Sequence, residues 1–269
     1  MSKLFLVLSL LIISTFAEAE TLFKEYKTTV LEAADGYVTI PDSPDLVFGA
    51  SGIVRHTFDP KTTAIIARVD LVKKDGTKAL LKVSKFEMLA QSAFPDTGIK
   101  PIVGDEVVMN YLYDRALIVV PNYEVYRNIT KQYDTVTWIH PDMVAAYLTK
   151  LYRPNPDKKI FQQACYQNSA SLIFFGIKDK GYFVDCHNFN TIKTIPIQNN
   201  SEIVLPFYTR VTNIESSWFS WDSSTIHDYN NYYEYLLGQA DKLIGSGVDG
   251  IIVKLPFTIV DRKDSVWKE

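Results

Sequence analysis

The stretch Leu172-Ile-Phe-Phe-Gly-Ile-Lys-Asp-Lys-Gly-Tyr-Phe-Val-Asp-Cys186 decides how the second half of this chain folds. Two apolar runs, at 172–177 and 182–186, flank the turn sequence 178–181, and this pattern predicts a β-hairpin. Just before it, residues 157–168 place Ile160, Phe161 and Ala164 at helical spacing. We therefore predict a hairpin that is covered by a helix.

The N-terminal segment has the layout of a secretory signal peptide. Lys3 supplies a positive start, residues 4–16 are apolar and uncharged, and small residues occupy Ala17 and Ala19. The apolar run is short for a membrane span. We predict export across a membrane, cleavage near Ala19 and no membrane span in the mature chain. An uncleaved N-terminal anchor is the alternative.

The chain has two cysteines, Cys165 and Cys186, and an even number outside the cytosol favours a disulfide. Cys165 follows Phe161 by one helical turn and therefore lies on the apolar side of the predicted helix. Cys186 shares a strand face with Tyr182 and Val184. Both sulfur atoms can therefore point inward where the helix covers the hairpin, and we predict that they are bonded.

The amino-acid composition restricts the classes of protein to which this chain can belong. The chain is 47% hydrophobic and 13% aromatic, so it can form a real core. The mature part has about 250 residues, enough for one large domain or two small ones. The net charge of −3 lacks the basic footprint of a nucleic-acid binder, so no nucleic-acid partner is expected.

The predicted fold class is α+β, with a small N-terminal β-barrel or sandwich followed by an α+β module that contains the helix-covered hairpin. The predicted segments are a signal peptide at 1–19, a β-rich domain at 20–121 and an α+β domain at 122–237. Residues 238–269 are predicted to hold a flexible joint, a final strand and a polar tail. The β-rich domain is predicted from short β-type runs separated by Asp and Gly turn signals, at 37–40, 50–56, 62–72, 79–83, 106–111 and 116–120.

No catalytic motif is found in the sequence. The four histidines are scattered, at His56, His140, His187 and His227. There is no G-x-S-x-G elbow, phosphate-binding loop, H-E-x-x-H or dinucleotide fingerprint. We therefore predict a protein that is not an enzyme, with no cofactor and no metal site. A hydrolase is the remaining catalytic alternative, and it would need a cleft that joins Asp222 to His227 or His187.

An ordered set of segments resembles a known family. The segments are 136–148, Ala164-Cys165 before the hairpin, 184–189, 206–211 and 231–236, with looser matches at 104–105 and 116–125. Together they resemble the N-terminal domain family of plasminogen-binding proteins from Helicobacter, Campylobacter and their relatives. The resemblance covers nearly the whole mature chain. It implies a Gram-negative envelope protein, periplasmic or surface-associated, with plasminogen as a partner.

The resemblance also directs attention to exposed cations. Kringle modules of plasminogen capture a lysine or arginine cation between acidic residues and an aromatic trough, and a nearby carboxylate completes the ligand. The best-known members continue into a long tail rich in Lys and Glu, whereas this sequence ends in Glu269. The candidate partner-binding cations are therefore Arg262, Lys263 and Lys268.

A second, non-catalytic role is also open. A periplasmic protein of this type could be a scaffold component of the flagellar motor or of another envelope machine. The aromatic cluster Trp218, Phe219 and Trp221 would then be a docking surface, since aromatic residues are enriched at protein interfaces. Both roles need a folded protein that acts through protein–protein interaction.

Overall fold

The computed structural model describes residues 22–88, 98–212, 214 and 226–238. Within these residues the chain forms twelve strands and four helices, in the α+β arrangement that the sequence predicts. They make two compact units, one around a seven-stranded sheet and one around a five-stranded sheet. The predicted signal peptide, the final strand and the polar tail lie outside the described residues. The predicted domain boundaries remain predictions.

The first sheet is entirely antiparallel and curves as a half-barrel. Its strand order is β1-β7-β4-β5-β6-β3-β2. Register shifts between Val54 and Arg55 and between Leu71 and Lys73 increase the local twist and help to bend the sheet. The strands are β1 (Tyr26–Thr29), β2 (Glu32–Ala34), β3 (Tyr37–Pro41), β4 (Ser51–Asp59), β5 (Thr62–Lys74), β6 (Lys78–Ser84) and β7 (Glu106–Met109).

The turn between β5 and β6 follows the Asp-Gly signal in the sequence. Gly76 has a φ of +90°, a backbone conformation that residues other than glycine rarely adopt. The Asp75 carboxylate accepts hydrogen bonds from the backbone N–H groups of Lys78 and Thr77. These bonds, that from Lys78 first, stabilise the charged carboxylate and hold the pKa of Asp75 at about 2. Residues of the turn itself therefore determine the conformation of this hairpin.

The second sheet is mixed and has the order β12-β11-β10-β8-β9. Its central strand β10 is buried at every position, as expected for a strand that is covered on both faces. The strands are β8 (Arg115–Val119), β9 (Thr137–Ile139), β10 (Leu172–Ile177), β11 (Lys180–Asp185) and β12 (Thr191–Pro196), and the helices are α1 (Tyr123–Gln132), α2 (Pro141–Leu151), α3 (Lys158–Gln167) and α4 (Tyr229–Leu236).

Alternate residues of the hairpin face opposite layers. Phe175 of β10 packs in the core formed with α2, α3 and α4, where it makes an edge contact with Phe161 of α3. On the other face, Phe174 makes an edge contact with Phe183 of β11. Gly176 leaves room on this second face for Val125 of α1. The predicted helix-covered hairpin is therefore present, and α1 adds a layer on its opposite face.

Candidate protein-binding site

A disulfide joins the covering helix to the end of the hairpin. Cys165 of α3 and Cys186, directly after β11, are bonded, and both side chains are fully buried. The helix begins at its N-cap Asp157, whose carboxylate accepts from the N–H of Ile160. The predicted pairing is thus present, and it fixes the helix against the sheet.

A tyrosine patch lies on the surface of the second unit, and we define it as Tyr123, Tyr126 and Tyr208. The ring centroids of Tyr123 and Tyr208 are 5.6 Å apart, and those of Tyr126 and Tyr208 are 5.5 Å apart. Tyr123 is 55% exposed. The side chains of Val125 and Ile129 are the ones by which α1 packs into the core, so Tyr123 remains available to solvent.

The chain segment that carries Tyr208 is held alongside the start of α1. The N–H of Val204 donates to the carbonyl of Pro121, and the N–H of Tyr208 donates to the carbonyl of Val120. Asn122 caps the helix, since its side-chain oxygen accepts from the N–H of Val125. The segment 203–205, Ile-Val-Leu, is exposed at each of its three positions and extends the apolar surface beside the tyrosine patch.

An ion pair between Asp142 and Arg210 lies beside the rings. Asp142 accepts from the backbone N–H of Arg210, from its Nε at 2.7 Å and from the hydroxyl of Thr209. Desolvation opposes ionisation of the carboxyl, but the bonds from Arg210 and Thr209 outweigh it and lower the pKa of Asp142 to about 2. The carboxylate therefore stays charged and holds Arg210, whose side chain is 69% exposed.

His140 connects the ion pair to the tyrosine patch. It is the N-cap of α2, where its Nδ1 accepts from the N–H of Asp142 at 3.2 Å. Its ring makes an edge contact with Tyr126 at 5.2 Å between centroids. Desolvation, assisted by the charge of Arg210, lowers the pKa of His140 below its ordinary value. This shift favours the neutral imidazole, which the acceptor role of Nδ1 in the cap requires.

The candidate cations and the candidate aromatic cluster both lie outside the described residues, at Arg262, Lys263, Lys268, Trp218, Phe219 and Trp221. The tyrosine patch and Arg210 were not among the predicted site residues. The sequence contains little indication of this site. An aromatic residue at helical spacing usually indicates a core position, and Arg210 is distant from Tyr123 along the chain.

The described histidines lie at separate positions in the chain, and Nδ1 of His56 is 2.7 Å from Oδ1 of Asp105. His187 lies in a turn where its N–H donates to Asp185, and the carbonyl of His187 accepts from Gln162. His227 is exposed just before the α4 cap, Asp228, and Asp222 lies outside the described residues. Among the residues that the structure describes, no three His, Cys, Asp or Glu side chains come together as a metal site.

The fold and the surface together define a class of protein: an α+β protein with a disulfide-fixed second unit and an exposed aromatic and charged patch. None of the helices in the described residues has the length and apolar character needed to cross a membrane. The family model for the N-terminal part of plasminogen-binding protein pgbA matches residues 25–237. The chain therefore belongs to the plasminogen-binding protein pgbA N-terminal family.

Two curated relatives support this assignment. The chain is 22% identical over 175 residues to plasminogen-binding protein PgbA from Helicobacter pylori strain J99, and the match covers 64% of this chain. It is 21% identical over 175 residues to the PgbA of Helicobacter pylori strain 26695. In both comparisons the match covers 38% of the relative, so the matched region spans well under half the length of these proteins.

Proposed function

We propose that this protein is an exported, non-catalytic envelope protein of a Gram-negative cell and that it binds a protein partner, with plasminogen as the leading candidate. The observation that carries the proposal is the family match, which extends over residues 25–237 and so includes both sheets and the tyrosine patch. The protein would be located in the periplasm or at the cell surface after signal-peptide cleavage.

Two features of the described residues support this role. The buried disulfide suits a compartment outside the cytosol, because reduced glutathione and thioredoxin keep most cytosolic thiols unpaired. The tyrosine patch and Arg210 provide the residue types that dominate binding energy at protein interfaces, where tyrosine and arginine are enriched. A partner that is itself a folded protein fits such a surface.

Surface plasmon resonance with immobilised plasminogen tests the proposal directly. The mature chain is expected to bind, and a lysine analogue such as 6-aminohexanoic acid is expected to compete for the same site. An unrelated disulfide-bonded periplasmic protein of similar net charge serves as the control for non-specific adsorption. Absence of binding, or binding that the analogue leaves unchanged, would contradict plasminogen recognition through a lysine site.

Protease treatment of intact cells tests the location. A surface protein is expected to be digested, whereas a periplasmic scaffold is protected until the outer membrane is opened. Protection, combined with co-purification of flagellar motor or envelope proteins, would favour the scaffold role over a host partner. Normal motility in a deletion strain would argue against a motor component.

A further inference from the structure

We propose that Arg210 is the cation that the folded body of this protein presents to its partner, with the tyrosine patch as the flanking surface and Asp142 as the accompanying carboxylate. The chemistry of this set fits a partner pocket that combines acidic side chains with aromatic rings. The inference rests on the proposed function, because it names the residues through which a plasminogen-type partner would be bound.

The geometry leaves the outer end of the arginine available. A guanidinium has five N–H donors, and Asp142 engages the Nε–H at 2.7 Å. Within the residues that the structure describes, the two terminal nitrogens of Arg210 make no hydrogen bond or ion pair, and the side chain is 69% exposed. They can therefore bind a carboxylate of the partner with two parallel hydrogen bonds.

The ion pair also prepares the side chain for binding. Asp142 holds both the backbone N–H and the Nε of Arg210, and Thr209 holds the same carboxylate. A long side chain that is already oriented loses less conformational entropy when a partner binds it. Arg210 thus differs from a mobile surface cation, whose side chain must still be ordered when the partner binds.

The neighbouring rings make the site more than a single charge. Tyr208 precedes Arg210 by two residues, and the aromatic surface continues through Tyr126 to the exposed ring of Tyr123. Tyrosine rings can pack against aromatic side chains of a partner and offer hydroxyl groups at their edges. A cation beside packed tyrosines is therefore complementary in shape and in charge to an acidic, aromatic-lined pocket.

Two of the described lysines are arranged differently. Lys178 is joined to Glu234 at 2.7 Å, and the terminal ammonium is the group that the carboxylate engages. The ammonium of Lys158 lies over the ring of Phe189 in its own unit, where its burial lowers the pKa of the amine. In both cases an intramolecular contact occupies the charged group, whereas Arg210 keeps its terminal nitrogens for a partner.

The test compares full mature chains in the plasminogen binding assay. Arg210→Gln removes the cation, and it is expected to weaken binding by about tenfold or more and to make any remaining binding insensitive to 6-aminohexanoic acid. The variant with Arg262, Lys263 and Lys268 all replaced by glutamine is expected to stay close to the wild-type affinity. Arg153→Gln, at an exposed arginine just after α2, is the matched control and is expected to bind normally.

The outcomes separate this inference from the proposed function. If the wild type binds and Arg210→Gln binds equally well, the Arg210 site is refuted while plasminogen binding stands. If the wild type does not bind, the proposed function fails, and this site fails with it. Arg210→Lys retains the charge and is expected to recover part of the affinity. Urea unfolding checks that Arg210→Gln is folded, since an exposed ion pair contributes little to the free energy of unfolding.

Discussion

Replacing both cysteines of the buried disulfide is expected to destabilise the second unit strongly. Cys165 and Cys186 are 21 residues apart, and closing a loop of this length reduces the entropy of the unfolded chain. The chain-entropy relation gives about 3.3 kcal/mol at 25 °C for such a loop. This contribution depends on the covalent bond alone, because the reduced thiols fill almost the same volume.

The double variant Cys165→Ala, Cys186→Ala loses packing as well. Both side chains are fully buried, in the same core as Phe161 and Phe175, so deleting two sulfur atoms leaves unfilled space. Small deletions of this kind cost about 1 kcal/mol each. We therefore expect the free energy of unfolding to fall by about 5 kcal/mol in the double variant, of which the covalent bond accounts for the larger part.

Urea unfolding followed by circular dichroism separates the two contributions. The oxidised wild type, the reduced wild type and the double variant are compared, with the wild type reduced in urea and refolded in reductant because the bond is buried. The reduced wild type should lose about 3.3 kcal/mol, and the double variant should not respond to reductant. Equal unfolding midpoints for oxidised and reduced wild type would refute the reasoning.

Two further predictions concern the helix cap and the first sheet. Desolvation lowers the pKa of His140, so its stabilising cap is present above the ordinary value of 6.5 and is lost as the pH falls through the lower folded-state value. His140→Asn keeps an acceptor for the cap but has no imidazole to protonate, so its free energy of unfolding should fall less than that of the wild type between pH 7 and 5 in urea titrations. An unchanged pH dependence would contradict this. Gly52→Ala would place a Cβ 2.5 Å from the carbonyl oxygen of Val108, so β4 and β7 must separate. We expect the free energy of unfolding to fall by about 1–3 kcal/mol in thermal or urea unfolding, and a wild-type midpoint would show that the sheet accommodates the methyl group.

The parts of the fold that depend on local chemistry were predicted well from the sequence. The helix with Phe161 and Cys165 on its apolar side, the hairpin after it and the Asp75-Gly76 turn all follow from periodicity and turn signals. The disulfide was also predictable, because the same periodicities place both sulfur atoms inside. Such patterns arise from residues close in sequence, so no tertiary information was needed.

The pairing of strands that are distant along the chain was harder to predict from the sequence. The run that forms β8 has the same short apolar pattern as the strands before it, yet β8 pairs between β10 and β9 in the second sheet. A buried apolar run carries no information about which neighbour it will join. Only the packing of α1 and the other helices around the hairpin decides that β8 belongs there.

The sequence by itself determined the α+β class, the helix-covered hairpin and the bond between Cys165 and Cys186, because each depends on periodic burial within a short stretch. Only the tertiary structure decided the candidate binding surface. It joins the start of α1 to a later extended segment, so that Tyr123 and Tyr208 come into contact and Asp142 holds Arg210 beside them. Spatial neighbours of this kind are brought together by core packing, which the local pattern of residues does not encode.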